Sequence, residues 1–393
     1  MSRKIRRLRT ASLPLIGIAL AAVCLLSAAG LVILPAASPA AGAQLADLLR
    51  SVVGVRPVAD LESLSNRLRD DLNRLRFGGG SSQPQINWST TAQPDQSTPS
   101  AGTLPTPTEY SSSIPSTPTA ASPDVVTASP ALPWQAYGPT QNGYPLMART
   151  LILVDPTRSY AGVALVRMDL SRLQLHVMPG TIEPAHPSGI GLVIPDLGSV
   201  PAADRPALVA AFNGGFKAIH GRYGMMMNGL TLLPPIDGVA TVAIYRDGSV
   251  QLGAWNQDIV SSPDMVAFRQ NCPPLIEAGA LNPALDNDAI RAWGFTHNTD
   301  VAWRTALGLS QDRRFLIFAV GNGTSAKFLA EALQQAGAFS AMQLDVNQYY
   351  ARFMTYTQVN GQPVGTRLLD QMTNNPMQFL NPDLRDFFYL TLR

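Results

Sequence analysis

Three short segments set polar residues where chemistry can be built. Trp303-Arg304-Thr305-Ala306-Leu307-Gly308 places an arginine inside an otherwise apolar, strand-like run. A buried guanidinium needs an anionic partner, and its planar fork suits a carboxylate or a phosphate. Ala341-Met342-Gln343-Leu344-Asp345 is an apolar run that ends in a carboxylate. Strand ends that face a common cleft are where ligands gather in sheet proteins, so Asp345 is a candidate general acid, general base or metal ligand. Ala211-Phe212-Asn213-Gly214-Gly215-Phe216-Lys217 runs from an apolar strand straight into Asn-Gly-Gly, where glycines permit positive φ or close approach of the backbone to a ligand. Each has a structural alternative: a salt bridge for Arg304, a turn-initiating role for Asp345, a hairpin turn for Gly214 and Gly215.

Standard catalytic signatures are absent: no G-x-S-x-G, no H-E-x-x-H and no phosphate loop. The histidines His176, His186, His220 and His297 lack metal-ligand spacing, and Cys24 and Cys272 are too far apart in character to form a scaffold. No metal or cofactor is implied. Function must come from scattered polar side chains that the fold brings together.

The elements that would do so are mostly strands. Short apolar runs stand at Leu151–Asp155, Gly162–Asp169, Leu173–Met178, Ala207–Phe212, Ala240–Tyr245, Phe315–Val320 and Ala341–Asp345. One clear helical pattern, Ser325–Gln335, is closed by Gly337. Residues 134–393 therefore predict one α+β domain with a mixed sheet and a few helices.

The chain ahead of that domain divides into three. Residues 1–43 carry Arg3, Lys4, Arg6, Arg7 and Arg9, then an apolar stretch at Leu13–Leu34 long enough to span a bilayer. The basic flank predicts a cytoplasmic N-terminus, a single-pass anchor and an extracytoplasmic C-terminal domain, as at a bacterial cell surface. A cleaved signal ending near Ala41-Gly42-Ala43 is the rival. Residues 44–77 place Leu61, Leu64, Leu68, Leu72 and Leu75 at helical spacing, which predicts an amphipathic juxtamembrane helix and a route to self-association. Residues 78–133 are rich in Ser, Thr and Pro with three charges, the composition of a disordered spacer. Of 29 basic residues, five lie in that N-terminal flank; the remaining 24 face 27 acidic ones, so no nucleic-acid surface is expected.

Taken in order and spacing, the three polar segments resemble the phosphodiester glycosidase family over about Val200–Tyr356. The family's strand-Asn-Gly-Gly-aromatic is similar to Phe212–Phe216, its Arg-Thr-Ala-x-Gly to Arg304–Gly308, and its helix plus Leu-Asp to Leu329–Asp345. The resemblance implies a hydrolase acting on a carbohydrate or glycan-phosphate. Arg304, with Lys217, would hold the phosphate. Asp345 would activate water, attack directly or stabilise an oxocarbenium-like state. Asn213, Gly214 and Gly215 would bind substrate, His220 and Asn347 would line the pocket, and Glu277 is a weaker second carboxylate. One departure stands out: where the family reads Gly-Gly-Gly-Ser after the aspartate, this chain reads Val346-Asn347-Gln348-Tyr349-Tyr350. Either the substrate differs or activity has been lost. A non-catalytic glycan-binding module, with tyrosines stacking on sugars, is the alternative.

Overall fold

A computed structural model describes residues 38–78, 86–89, 132–185, 194–294 and 296–393. The apolar run Leu13–Leu34, His186 and most of residues 78–133 lie outside these. Among the described residues no helix is long and apolar enough to cross a membrane.

The domain is built on an eight-stranded sheet in the order β1-β2-β3-β14-β13-β15-β11-β12. Its central strands are β3 (Val163–Asp169), β14 (Phe315–Thr324), β13 (Ala302–Ser310) and β15 (Ala338–Gln343), with β11 (Pro274–Glu277) and β12 (Ala280–Leu281) at one edge. β1 (Gln135–Gln141) and β2 (Tyr144–Ile152) form the other edge. This sheet is covered on both faces, which is why its strands read as unbroken apolar runs. Val163, Leu165, Ala306, Ile317, Ala319 and Ala341 pack towards helix α3 (Ala326–Gln335), through Leu329, Ala330 and Leu333. Val166, Met168, Leu307, Leu309, Leu316, Phe318 and Met342 face the other way, into a core shared with two smaller sheets.

Those sheets have five strands each. One runs β7-β6-β10-β8-β9 and includes β6 (Met225–Met227), β7 (Leu230–Leu233), β8 (Ala240–Tyr245), β9 (Val250–Ala254) and β10 (Met265–Gln270). The other runs β17-β16-β5-β18-β4, with β4 (Leu173–Met178), β5 (Leu208–Asn213), β16 (Phe353–Val359), β17 (Gln362–Arg367) and β18 (Phe387–Leu392). Phe212 of β5 lies at the meeting point, its ring 5.3 to 5.8 Å from those of Phe318, Phe353 and Phe388.

The α+β class holds, but the sheet is not mixed: the strand pairings among the described residues are antiparallel. Helix α3 starts one residue after the predicted point because Ser325 caps it, its hydroxyl accepting from the Phe328 N–H at 3.3 Å.

Ahead of the domain the single expected helix is two: α1 (Pro39–Val53) and α2 (Val55–Phe77). The break falls at Gly54, at φ 89°, and Pro57 sits harmlessly in the first turn of α2. Nor does the pair lie free of the domain. Asp70 receives Arg158 Nη2 at 2.6 Å and the Tyr160 hydroxyl at 2.8 Å, and Arg67 Nε donates to Asp300 at 3.0 Å. Leu61 is half-buried in the α1–α2 contact, while Leu64, Leu68, Leu72 and Leu75 stay exposed. The spacer reading also needs one correction: Ile86 is buried in the main core and Trp88 bridges Leu369.

Truncation of Phe212 removes the ring that joins Phe318 of the large sheet to Phe353 and Phe388 of its own sheet. Phe212→Ala is expected to cost about 3–5 kcal/mol, seen as a lower denaturant midpoint with little change in slope.

Candidate active site

Adjacent residues of a strand point to opposite faces of its sheet. On β13 this separates two residues that the sequence presents side by side. Ala306 and Gly308 face α3, and Arg304 shares their side. Thr305 faces the three-sheet core, where it meets Asn213 at the end of β5: Asn213 Nδ2 donates to Thr305 Oγ1 at 3.0 Å. The Asp345 N–H donates to the same Thr305 oxygen at 3.0 Å. The strand ends of β5, β13 and β15 therefore do converge, and Asn213 and Asp345 come together.

Arg304 does not join them. It is fully buried and donates to the carbonyls of Thr324, Trp293 and Asp300 and to Gln343 Oε1, at 2.9 to 3.2 Å. Four of its five N–H groups are thus engaged. Desolvation pulls its pKa down to about 10. Its role is to fasten the 293–300 loop to β13, β14 and β15, and the phosphate-holding role falls away. Glu277 is also remote. It ends β11, opposite the start of β15, and five residues of strand place Asp345 roughly 17 Å away.

The cation beside Asp345 is Arg385. Its Nη2 donates to Asp345 Oδ2 at 2.8 Å and to the Gly215 carbonyl at 2.9 Å. Burial pushes the Asp345 carboxyl above its ordinary value, against the opposing pull of Arg385. Burial works against the Arg385 charge, but Asp345 and Asp386 outweigh it and raise its pKa. Asp345 Oδ1 is held by the Val346 N–H at 2.7 Å. The Arg385 guanidinium lies 4.3 Å from the centre of the Tyr350 ring, which also has Arg352 at 5.3 Å and the Lys217 ammonium at 5.6 Å. Three cations thus surround one aromatic ring, next to one buried carboxylate.

Below them lies a fully buried pair, Arg269 and Asp386, 2.8 Å apart. It explains both glycines. Neither Gly214 nor Gly215 has positive φ. A Cβ on Gly214 would sit 2.0 Å from Asp386 Oδ2, and one on Gly215 would sit 3.0 Å from Arg269 Nη2. The close approach is to this ion pair and not to a ligand. Asn213 is likewise a structural keystone, its Oδ1 accepting from the Arg352 N–H at 3.2 Å. Asn347 caps the turn at Gln348–Tyr350, accepting from the Tyr349 N–H at 2.8 Å.

Lys217 reaches the cation cluster but pairs with Asp47 of α1, so the helical hairpin abuts the site. His220 lies against Phe216, edge to face at 6.0 Å. Burial pulls its pKa down to about 3, helped by Arg50, Arg385 and Lys217, so the imidazole is neutral at physiological pH. Arg269, Arg352, Arg385 and Asp386 went unpredicted. The last two sit next to each other just before β18, where the only signal is a charged pair ahead of an apolar run.

Residues 207–345 match the phosphodiester glycosidase family model. The resemblance read from the sequence holds. The matched stretch carries β5, β13, α3 and β15, which supply Asn213, Thr305 and Asp345, and it stops short of Arg385 and Asp386. Among solved structures, the chain is similar to the catalytic domain of zebrafish N-acetylglucosamine-1-phosphodiester alpha-N-acetylglucosaminidase, auto-inhibited by pro-peptide. That likeness has 18% identity and a TM-score of 0.43, over 66% of this chain and 87% of that one. A hypothetical protein from Synechocystis is similar at 13% identity and a TM-score of 0.40, over 67% and 64%. None of the curated proteins matches the chain.

Removing one member of the buried pair leaves the other uncompensated. Arg269→Met is expected to destabilise by about 3–5 kcal/mol, measured by chemical unfolding. Arg304→Lys should likewise lower stability, because an ammonium cannot span the same four acceptors, and should leave ligand affinity of the folded fraction unchanged in calorimetry.

Proposed function

We propose that this chain is a membrane-tethered, extracytoplasmic hydrolase that cleaves a sugar-1-phosphodiester at its glycosidic bond, in a glycopolymer of the cell envelope. The observation that carries this reading is the Asp345–Arg385 contact at 2.8 Å, with Lys217 and Arg352 grouped around the same Tyr350 ring. A carboxylate beside several cations suits a substrate that is a sugar cation and a phosphate anion at the moment of cleavage.

In this mechanism the bond from the anomeric carbon to the phosphate oxygen breaks, and the electron pair leaves on the phosphate. Arg385 and Lys217 stabilise that charge; phosphate, already a good leaving group, needs little protonation. Water adds to the anomeric carbon and Asp345 accepts its proton. The products are a reducing sugar and a phosphate monoester. An anionic substrate group that reaches Lys217 displaces the Asp47 carboxylate now paired there. The neutral His220 serves as a hydrogen-bonding wall and not as a charge.

The tether reading draws on the basic flank and apolar run of residues 3–34, and the Ser/Thr/Pro-rich stretch gives reach.

The reading is tested by release of reducing sugar from a sugar-1-phosphodiester. Asp345→Asn is expected to lower kcat by about 10²–10⁴-fold, and Arg385→Gln to lower kcat/KM. Wild type and both variants behaving alike would sink it. Because the working form of Asp345 is the carboxylate and its pKa is raised, activity should fall with decreasing pH along a limb placed above the ordinary value of 3.8. No limb near 6.5 should come from His220.

A further inference from the structure

Helix α2 presents a second polar stripe towards the domain, and that stripe is unengaged. Arg67, Asp70 and Arg74 are tied up in ion pairs with Asp300, Arg158 and each other. Asn66, Arg69 and Asn73, at spacings of three and four, line one face of a cleft of about 440 Å³ between α2 and the domain. Among the described residues none of these three side chains makes a hydrogen bond or ion pair. Arg69 is half-buried, and burial alone pulls its pKa down, with no acid opposing it.

The opposite wall is supplied by Trp303 of β13 and Gln348 of the turn after Asp345. Gln348 uses its Nε2 on the Gln371 carbonyl at 3.3 Å and leaves its amide oxygen available. A smaller, deeper recess shares Asn66, Arg69, Trp303 and Gln348 and adds Val346 and Asn347, the two residues following Asp345. The buried Thr296 hydroxyl, also in that recess, has no partner among the described residues. The two spaces form one cleft that ends beside the candidate active site.

Unpaired amides, one aromatic wall and one unpaired guanidinium make a particular chemical set. Amides exchange hydrogen bonds with hydroxyls in both directions, an indole face covers a sugar ring, and a guanidinium takes a phosphate oxygen pair. We propose that this cleft binds the remainder of a phosphate-bearing glycan chain, with Arg69 on a phosphate and Asn66, Asn73 and Trp303 on sugar. Helix α2 is then half of a ligand site. The glycan-phosphate class rests on the hydrolase reading above; the cleft and its unengaged side chains do not.

The test uses the full-length protein in detergent and two probes of equal length: hexose units joined through 1-phosphodiesters, and the uncharged oligosaccharide of the same hexose. Binding is read by calorimetry and hydrolysis separately by reducing-sugar release, so loss of turnover and loss of binding are told apart. Arg69→Gln is expected to weaken the phosphate-bearing probe by roughly 10-fold or more and leave the uncharged one unchanged. Arg69→Lys should recover part of the loss, and Trp303→Ala should weaken both probes. Thermal melting of Arg69→Gln should match wild type. Equal affinity of wild type and Arg69→Gln for the phosphate-bearing probe overturns the proposal. So does failure of wild type to bind either probe, or tighter binding when Arg67→Gln loosens α2, which would make the helix a cover.

Discussion

A guanidinium and a carboxylate removed wholly from water must satisfy each other and every remaining donor, or the fold pays heavily. Arg269 and Asp386 meet that demand in full. Arg269 directs its five N–H groups to both Asp386 oxygens and to the carbonyls of Phe216, Tyr223 and Gln270. Asp386 Oδ2 also receives the Gly215 N–H at 3.0 Å. The pair joins β10 of one small sheet to the start of β18 in the other, and it pins the chain after β5 between them. Residue 385 follows from that constraint. With Asp386 fixed and β18 hydrogen-bonded along β5, the Arg385 side chain is delivered onto Asp345. The candidate active site is thus the consequence of a deeper electrostatic requirement.

That dependence explains what was legible in the sequence. β4 and β8 match their predicted bounds because each is a short apolar run closed by a turn. Ser325 and Gly337 mark the ends of α3 by capping chemistry alone. Asn213 and Asp345 were legible because strand ends concentrate polar residues. Arg304 misled because type and spacing do not say which face of a strand is used. One residue of pleat separates the face towards α3 from the face towards the site, and both are buried, so no alternation in the sequence distinguishes them. Arg385 and Asp386 lie 40 residues and more beyond Asp345, and no local pattern announces a pairing of that range.

The hairpin shows the opposite case, where pattern was clear and its meaning changed. The leucines at helical spacing exist as read, yet the domain-facing side of α2 is polar. It is held by Asp70, Arg67 and Asp47 of α1, not by an apolar seam. An amphipathic helix usually buries its apolar stripe. Here Leu64, Leu68, Leu72 and Leu75 face outwards and charge does the docking. A contact made of ion pairs at a partly exposed surface is weaker and more salt-sensitive than an apolar one. The segment next to the site is therefore attached by the interactions that an anionic ligand competes for best.

The same logic accounts for Val346–Tyr350 standing where the family has glycines. Glycines there would offer backbone N–H groups to a ligand at close range. In this chain the first of those N–H groups is turned back on Asp345, and Asn347 caps the turn through its own side chain, so no glycine is needed to close it. Tyr350 presents its electron-rich face to Arg385, Arg352 and Lys217 at 4.3 to 5.6 Å. On the function proposed above, recognition of an anion moves from backbone dipoles to full side-chain charges. Such a site has longer reach and less shape discrimination than a glycine cradle, because charge falls off slowly whereas backbone contact demands fit. If the substrate is the charged polymer proposed above, with many equivalent links, that trade serves it better than it would a single small ligand.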